Sequence, residues 1–275
     1  MSFWRSVCSC LLLCLLSANG WAQERPLWEL GVGVAAFNLP YYRGSNAERS
    51  YALPYPYLIY RGEYLNVDEE GMRGWLYRSE DLSLDLSLAG GVPVPSKQDG
   101  PRAGMPDLDP TVEFGPSIEY RLWHSDDRRR NAWLRLPLRG AFAVGDSITH
   151  QGWVFAPHLE FSRQDFGFKG WTNSISFGPL FADTAYHDYF YGVAPQFATT
   201  TRPAYEGRGG YSGSRVTLIT GKTFDQLWLS AFIRFDTLNG ASFADSPLVE
   251  TRNYHIAGIA LTWIFARSGT LVHVP

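Results

Sequence analysis

The six histidines are the side chains best suited to metal or acid–base chemistry: His124, His150, His158, His187, His255 and His273. No two of them stand at metal-ligand spacing, which argues against a zinc site. None has a serine two positions away, as a serine nucleophile and its histidine on one strand would require. The sequence also has no H-E-x-x-H, no G-x-S-x-G and no glycine-rich phosphate loop ahead of a helix.

These absences predict no catalytic residues, no metal and no cofactor. A serine–histidine pair formed across two strands stays open, since an outer-membrane lipase or lipid A deacylase would place both residues near one rim of a barrel. The non-enzymatic interpretation is the one that the motifs favour.

A set of charged residues shares the polar phase of alternating segments, which would place them on one face of their strands. Glu119 and Arg121 precede the segment of Arg135 and Arg139, so we expect arginine–carboxylate pairs across one hairpin. Two interpretations stay open, an ion-selective lining or gate and a network that braces a lumen, and the bracing network is favoured. The predicted lumen residues are Asp85, Glu113, Glu119, Arg121, Arg135, Arg139, Glu160, Arg234 and Asp236.

The elements that must carry these residues alternate between apolar and polar positions with a period of two. Val112, Phe114, Ile118 and Leu122, for example, alternate with polar residues and glycine. Such a period predicts β-strands and almost no helix. About twelve strands result, with ten to fourteen possible. Their predicted ranges are roughly 28–37, 51–60, 63–77, 81–91, 109–123, 130–144, 151–164, 168–180, 188–199, 213–222, 227–237 and 255–265.

Two all-β architectures share this alternation. A soluble sandwich or lipocalin-like barrel buries its apolar face, whereas a transmembrane barrel turns that face to lipid and its charges to the lumen. Strands longer than ten residues favour the second, and so do aromatic residues near strand ends. We predict a closed antiparallel transmembrane β-barrel. The predicted interfacial aromatic residues are Tyr41, Tyr42, Tyr55, Tyr57, Tyr60, Trp75, Tyr77 and Trp123.

The N-terminus predicts export. Residues 1–22 have the form of a signal peptide, with Arg5 ahead of an apolar stretch too short to span a bilayer and cleavage after Ala22; a membrane anchor is the alternative. All three cysteines lie in this segment, so the mature chain has none for disulfides or metals. Residues 23–275 then form the barrel, with a short tail at 266–275, in the outer membrane and in contact with its lipid.

The charge balance excludes one class of partner. The 275 residues include 24 Lys and Arg against 27 Asp and Glu, a formal net charge of −3. A nucleic-acid-binding protein would normally show a basic surface, so no nucleic acid is expected. With 45% hydrophobic residues, the chain is also unlike a disordered one.

With both termini in the periplasm, alternate connections fall on opposite sides of the membrane. The long connections at 38–50, 200–212 and 238–254 are then predicted outside the cell, as is the turn at 125–130. Residues 92–108 become a long periplasmic connection, which is unusual. This segment is therefore either a periplasmic contact loop or a sign that the strand count is off by one.

Short motifs along the chain resemble one family. They are Gly31-Val32-Gly33, the segments 40–45, 54–57, 60–62, 187–193, 205–207 and 209–211, Leu238-Asn239-Gly240-Ala241, and 245–249. Together they resemble the MltA-interacting protein (MipA/OmpV) family, although the aspartate that precedes this alanine in the family is absent here. The motif positions singled out are Tyr41, Gly44, Ser45, Asp188, Tyr189, Tyr191, Gly192, Ser246, Pro247 and Leu248.

The resemblance implies an outer-membrane β-barrel of Gram-negative bacteria. It implies a scaffold that bridges a murein transglycosylase and a murein synthase in the periplasm, with a porin-like diffusion channel or a surface antigen or adhesin as alternatives. It supplies no catalytic residues. The motifs are interpreted as turn and membrane-interface residues. Phe265 closes the last predicted strand, but further residues follow, whereas barrels of this kind usually end on an aromatic residue.

Overall fold

In the computed structural model the described residues, 23–62, 65–68, 71–74, 77–96 and 100–274, form mostly antiparallel β-sheet. The predicted signal peptide at 1–22 and Trp75 lie outside the described residues. The strands are β1 (Gln23–Pro26), β2 (Trp28–Pro40), β3 (Glu48–Arg61), β4 (Leu65–Asp68), β5 (Gly71–Gly74), β6 (Tyr77–Arg78), β7 (Leu82–Gly91), β8 (Thr111–His124), β9 (Arg130–Val144), β10 (Ile148–Phe155), β11 (His158–Gln164), β12 (Thr172–Ala182), β13 (Gly210–Phe224), β14 (Leu227–Thr237), β15 (Asn253–Arg267) and β16 (Leu271–Val274).

One large sheet contains the strands β2 to β15, and β1 pairs with β16 in a separate ribbon. The order in the sheet is β5-β4-β3-β2-β15-β14-β13-β12-β10-β9-β8-β7-β6, and β11 pairs with both β12 and β9. Since β10 and β11 share these neighbours and only Ala156-Pro157 separates them, they form one long strand interrupted where proline cannot donate a hydrogen bond. β2 pairs with β15, and Cα atoms of β5 and β7 approach within 8 Å.

Two predicted strands are wrong. The range 63–77 contains the separate strands β4 and β5 and the start of β6. The range 188–199 contains instead the end of helix α1 (Thr184–Tyr191) and a 3₁₀ turn at Pro195–Phe197. Asp183 starts α1, because its side chain accepts a hydrogen bond of 2.9 Å from the Tyr186 amide. Within the part of the chain that is described, no helix is both long and apolar enough to cross a membrane.

The large sheet has one exposed face and one buried face, called here the outer and the inner face. On β8 the outer residues Val112, Phe114 and Ile118 are 44–46% exposed, whereas the inner residues Glu113 and Glu119 are 7% and 6% exposed. Apolar side chains thus face out and charged side chains face in, the inverse of a soluble sandwich. Further large outer residues are Val32, Val34, Leu88, Trp153, Phe161, Ile175, Phe177, Val216, Leu218, Phe235, Ile259, Leu261, Trp263 and Phe265.

The inner face of β2, β3 and β15 carries a small apolar cluster of Tyr57, Ile59 and Ile264. Gly33 stands opposite Tyr55, and a Cβ at Gly33 would lie 2.5 Å from the Tyr55 ring. Glycine therefore makes room for this ring on the inner face. Tyr55 and Tyr57 do not lie at a membrane interface, so that prediction is wrong for both.

The connections divide between the two ends of the strands. Turns 125–129, 165–171 and 225–226 lie at what we call the terminal end, where β2 begins and β15 ends; segments 41–47, 92–110, 145–147, 183–209 and 238–252 lie at the loop end. The prediction that 92–108 lies opposite the other long connections is wrong, and so is the prediction that the turn 125–130 lies on their side. The alternative offered for 92–108, a strand count off by one, is correct at this point of the chain. Because one strand within 63–77 was missed, every connection after it was assigned to the wrong end of the sheet. The strand wrongly predicted at 188–199 cancelled this error, so later connections were assigned to the correct end.

The first and last strands of the described residues are paired. β15 continues past Phe265 to Arg267, and residues 271–274 form β16 against β1. The Arg61 guanidinium donates a hydrogen bond of 2.7 Å to the Pro26 carbonyl and lies 2.7 Å from the Glu29 carboxylate. These contacts hold β1 against the terminal end of the large sheet.

Candidate functional site

A second apolar core closes over the loop end, and we call it the cap. Its largest fully buried side chain is Phe243, whose ring stacks on that of Tyr191 with centroids 3.7 Å apart. Because its members come from four separate connections, the cap ties distant parts of the chain together. The buried cap residues are Tyr42, Val94, Leu108, Tyr191, Val193, Leu238, Ala241, Phe243 and Leu248, packed on Tyr254 and Ile256 of β15.

Hydrogen bonds satisfy the polar atoms that the cap buries. The Tyr42 hydroxyl donates to the Leu248 carbonyl at 2.7 Å, and the Tyr191 hydroxyl donates to the Arg43 carbonyl at 2.9 Å. The Ser246 hydroxyl donates to the Tyr191 carbonyl at 2.8 Å. Each bond joins two different connections, and buried groups left unpaired would cost stability.

Family-motif positions from all parts of the chain meet in this cap. Gly44 adopts a φ of 95°, and its carbonyl accepts from the amides of Glu250 and Thr251. The Asp188 carboxylate accepts a hydrogen bond of 2.9 Å from the Gly207 amide. Buried or partly buried beside them are Tyr41, Tyr42, Ser45, Tyr189, Tyr191, Gly192, Ser246, Pro247 and Leu248. The interfacial interpretation is wrong for Tyr42 and Tyr191, which are 6% and 2% exposed within the cap.

A serine–histidine pair does form between elements. His187 Nε2 lies 2.6 Å from the Ser212 hydroxyl, and His187 Nδ1 lies 2.5 Å from the Arg208 carbonyl. Both side chains are buried, with residue exposures of 0% for His187 and 2% for Ser212. Burial is the largest cause that lowers the pKa of His187, and it outweighs the hydrogen bond to Arg208, which raises it. The pair has no route to a substrate in this state, and it fastens α1 to β13.

The inner face of β8, β9 and β11 holds linked ion pairs. Arg135 lies 3.3 Å from Glu119 and 3.4 Å from Glu160. Arg139 lies 3.1 Å from Glu113, and it donates a second hydrogen bond to Ser87. This is the arrangement expected across the hairpin. Here the ion pairs span three strands, β8, β9 and β11, and the hydrogen bond to Ser87 extends the contacts to β7.

Two further predicted lumen residues make contacts of other kinds. Asp85 is 1% exposed on the inner face of β7, and Ser83 donates to its carboxylate at 3.3 Å. The Arg121 guanidinium lies over the Trp133 ring, 4.7 Å from its centroid. Arg121 therefore makes a cation–π contact rather than the hairpin ion pair that was expected.

A second charged cluster lies on β13 and β14. Arg234 lies 2.8 Å from Asp236, and Arg215 and Arg43 lie 3.2 and 3.5 Å from the same carboxylate. Sequence reasoning found Arg234 and Asp236 but missed the other two. Arg215 pairs across the strands with Asp236, so the register of the β13–β14 hairpin could have revealed it. Arg43 comes from a connection, and no local pattern places it there.

The cap and the inner face are connected. The Tyr186 hydroxyl of α1 donates a hydrogen bond of 3.0 Å to Glu113, which also pairs with Arg139. Burial and the Glu113 carboxylate both raise the pKa of Tyr186, so its hydroxyl keeps its proton as the donor. Asp183 caps α1 and also accepts a hydrogen bond of 3.0 Å from the Trp153 amide of β10. Helix α1 is therefore fixed to both β8 and β10.

No group of three or more potential metal ligands occurs within the described ranges. An antiparallel sheet with an apolar outer face, a charged inner face and a packed cap defines an all-β protein of the outer-membrane type. The chain belongs to the MltA-interacting protein MipA family, which matches residues 32–265.

No curated protein matches the chain. Among solved structures it is similar to a chain described as "Bacterial polysaccharide outer membrane secretin", with 9% sequence identity and a TM-score of 0.38. That match covers 88% of this chain and 99% of the other.

Proposed function

We propose that this protein is a closed transmembrane β-barrel of the outer membrane that acts, without catalysis, as a scaffold for murein-synthesising and murein-hydrolysing enzymes. Residues 1–22 are its signal peptide in this proposal, and the outer face contacts lipid. The observation that carries the proposal is the packed cap over the loop end. A core of buried rings and hydrogen bonds closes the loop end and stiffens the whole sheet, which suits a rigid scaffold better than an open pore.

Closure is supported by the order of the strands. With β10 and β11 counted as one strand and β5 and β6 as another, the large sheet has about twelve strands. Strands β5 and β7 approach at one edge, and β2, the first strand of the large sheet in chain order, pairs with β15, the last. A closed sheet would satisfy the backbone groups that a bilayer cannot.

The ion pairs favour bracing over conduction. Glu113, Glu119 and Glu160 each lie beside an arginine of the same inner face. Within this group the paired side chains neutralise one another, so this part of the inner face offers few free charges to select a solute. A diffusion channel would need a continuous aqueous path past both the pairs and the cap.

The murein enzymes enter the proposal through the family. Its name states an interaction with MltA, and we extend that interaction to this chain as binding of a murein transglycosylase, with a murein synthase as the second partner. With the short turns in the periplasm, the partners would meet the terminal end. Its exposed features include Phe166 and Phe168 in the turn 165–171, and the β1–β16 ribbon lies at the same end.

The experiment is affinity purification of the tagged protein from cross-linked, detergent-solubilised envelopes. The same short epitope is inserted into the turn 165–171 at the terminal end or, as a matched control, into the turn 145–147 at the loop end. We expect the wild-type protein and the control to recover a murein transglycosylase above an unrelated barrel, and the terminal-end insertion to lose it.

Recovery of no murein enzyme by the wild-type protein would contradict the scaffold role. Loss of recovery only with the loop-end insertion would place the partners at the cap instead. The purified protein in planar bilayers is expected to be electrically silent, and steady conductance that changes in Arg135→Ala or Arg139→Ala would support a channel.

A further inference from the structure

The cluster around Asp236 carries more positive than negative charge. Three guanidinium groups, from Arg43, Arg215 and Arg234, lie within 3.5 Å of this one carboxylate. The Asp236 side chain is 0% exposed, so all three cations converge on a buried anion. One carboxylate neutralises one of the three charges.

The excess charge has no partner among the described carboxylates. Glu113, Glu119 and Glu160 on the inner face pair with Arg135 and Arg139. Two positive charges therefore remain beside Asp236, where limited contact with water strengthens their mutual repulsion. A second anion would relieve that repulsion.

The arginines also have donors to spare. Arg215 and Arg234 face Asp236 through their Nε atoms, so this contact leaves the two Nη atoms of each group free of it. Their side chains are 29% and 24% exposed, so a solute can reach them. Paired N–H groups of guanidinium match the oxygen atoms of an oxyanion in geometry and in charge.

Neighbouring side chains add further polar groups to the cluster. Arg43 Nε donates to the Tyr254 hydroxyl at 3.1 Å, which leaves the Tyr254 O–H free to donate elsewhere. Thr217 stands directly opposite Arg234 on the inner face. We propose that Arg43, Arg215 and Arg234 form a binding site for a small dianionic oxyanion of the phosphate class.

The test uses the full mature chain in a maltoside detergent, which contains no phosphate. The thermal midpoint is followed while inorganic phosphate replaces chloride at constant ionic strength. We expect phosphate to raise the midpoint, and Arg215→Gln and Arg234→Gln to weaken the apparent phosphate affinity at least tenfold. Arg163→Gln, which removes an exposed outer-face arginine, is the control and should leave the affinity unchanged.

Asp236→Asn provides a change of opposite sign. It removes the competing carboxylate, so phosphate should bind more tightly and should stabilise this variant more than the wild type. If phosphate has no effect on the wild type, or the same effect on all variants, the proposal is wrong. If the arginine variants fail to fold, the test is the broadening of the ³¹P resonance of inorganic phosphate by the wild-type protein, which sulfate should reverse by competition. Absence of this broadening would overturn the proposed site.

Lipid phosphate is the other source of this chemistry. In a separate arm, phosphatidylglycerol is added to the micelles in place of inorganic phosphate. Because the site lies on the inner face beneath the cap, we expect the lipid not to reproduce the shift. A shift with the lipid that Arg215→Gln abolishes would overturn the assignment to a free oxyanion.

Discussion

The Tyr191 hydroxyl at the end of α1 donates a hydrogen bond of 2.9 Å to the carbonyl of Arg43, 148 positions earlier in the chain. Arg43 itself reaches from the cap to Asp236 on the inner face, 3.5 Å away. One residue thus has its backbone in the cap and its charge in the inner network. The cap and the inner face are therefore coupled through Arg43. A substitution that destabilises one of them should also lower the stability of the other.

The cap should lose much of its stability when Phe243 is truncated. Phe243 is 0% exposed and its ring stacks on Tyr191, so Phe243→Ala leaves a cavity where the connections meet. Such a change typically costs about 3–5 kcal/mol. The measurement is the free energy of unfolding in urea of the detergent-folded protein.

Phe168→Ala is the matched control, because Phe168 is 76% exposed in a turn of the terminal end. A surface change of this kind should shift the free energy of unfolding by no more than about 0.5 kcal/mol. Equal losses in the two variants would mean that the cap is not a packed core.

The faces of the strands followed from a local property. On β8 and β15 the period of two assigned Val112, Glu113 and Ile259 to the faces on which they are observed. This works because successive side chains of a strand point to opposite faces of the sheet. The helix over Tyr191 could not be predicted in this way. Its aromatic residues have high strand propensity. They are helical because Asp183 forms the N-cap of the helix and because they pack against residues distant in sequence.

The cap and the Asp236 cluster depend on distant contacts. Arg43 lies in a connection without periodicity, and its partners Asp236 and Tyr254 lie about two hundred positions away. A missed strand within 63–77 was enough to place residues 92–108 on the wrong side. The end of the sheet at which a connection lies depends on the number of strands before it. One miscounted strand therefore misplaces every later connection until a second error cancels the first.

The pair of Glu113 and Arg139 should show strong coupling. Removing one partner leaves a buried charge unpaired, so Glu113→Gln and Arg139→Met should each destabilise the fold by about 3–5 kcal/mol. The double variant should cost less than the sum, by about 1–3 kcal/mol, since the two residues are in contact at 3.1 Å. A double-mutant cycle on the free energy of unfolding measures this coupling. Simple additivity would show that the pair does not interact.

Asp183 should control the local stability of α1. Its carboxylate accepts hydrogen bonds from the Tyr186 amide at 2.9 Å and from the Trp153 amide at 3.0 Å. Asp183→Ala removes both, and the loss of a helix cap costs about 1–2 kcal/mol. Hydrogen exchange should accelerate in α1 and at Trp153 but not in β15. Asp126→Ala, in an exposed turn at the terminal end, should leave exchange in α1 unchanged, and acceleration there too would argue against a specific cap.

The cap should weaken as the pH falls, because His187 is buried in its neutral form. Burial chiefly lowers its pKa below the usual value of about 6.5, and the Arg43 charge adds to this effect. A base whose folded pKa is depressed contributes stability above the unfolded pKa, and that stability is lost as the pH falls from about 6.5 toward the folded pKa. The hydrogen-exchange protection factors of α1, which correct for the change of the intrinsic exchange rate with pH, should therefore fall over that window in the wild type. In His187→Gln, which does not titrate, this step should vanish, whereas His150→Gln, at an exposed position, should keep it. A pH step of equal size in His187→Gln would assign the acid sensitivity of the cap to other groups.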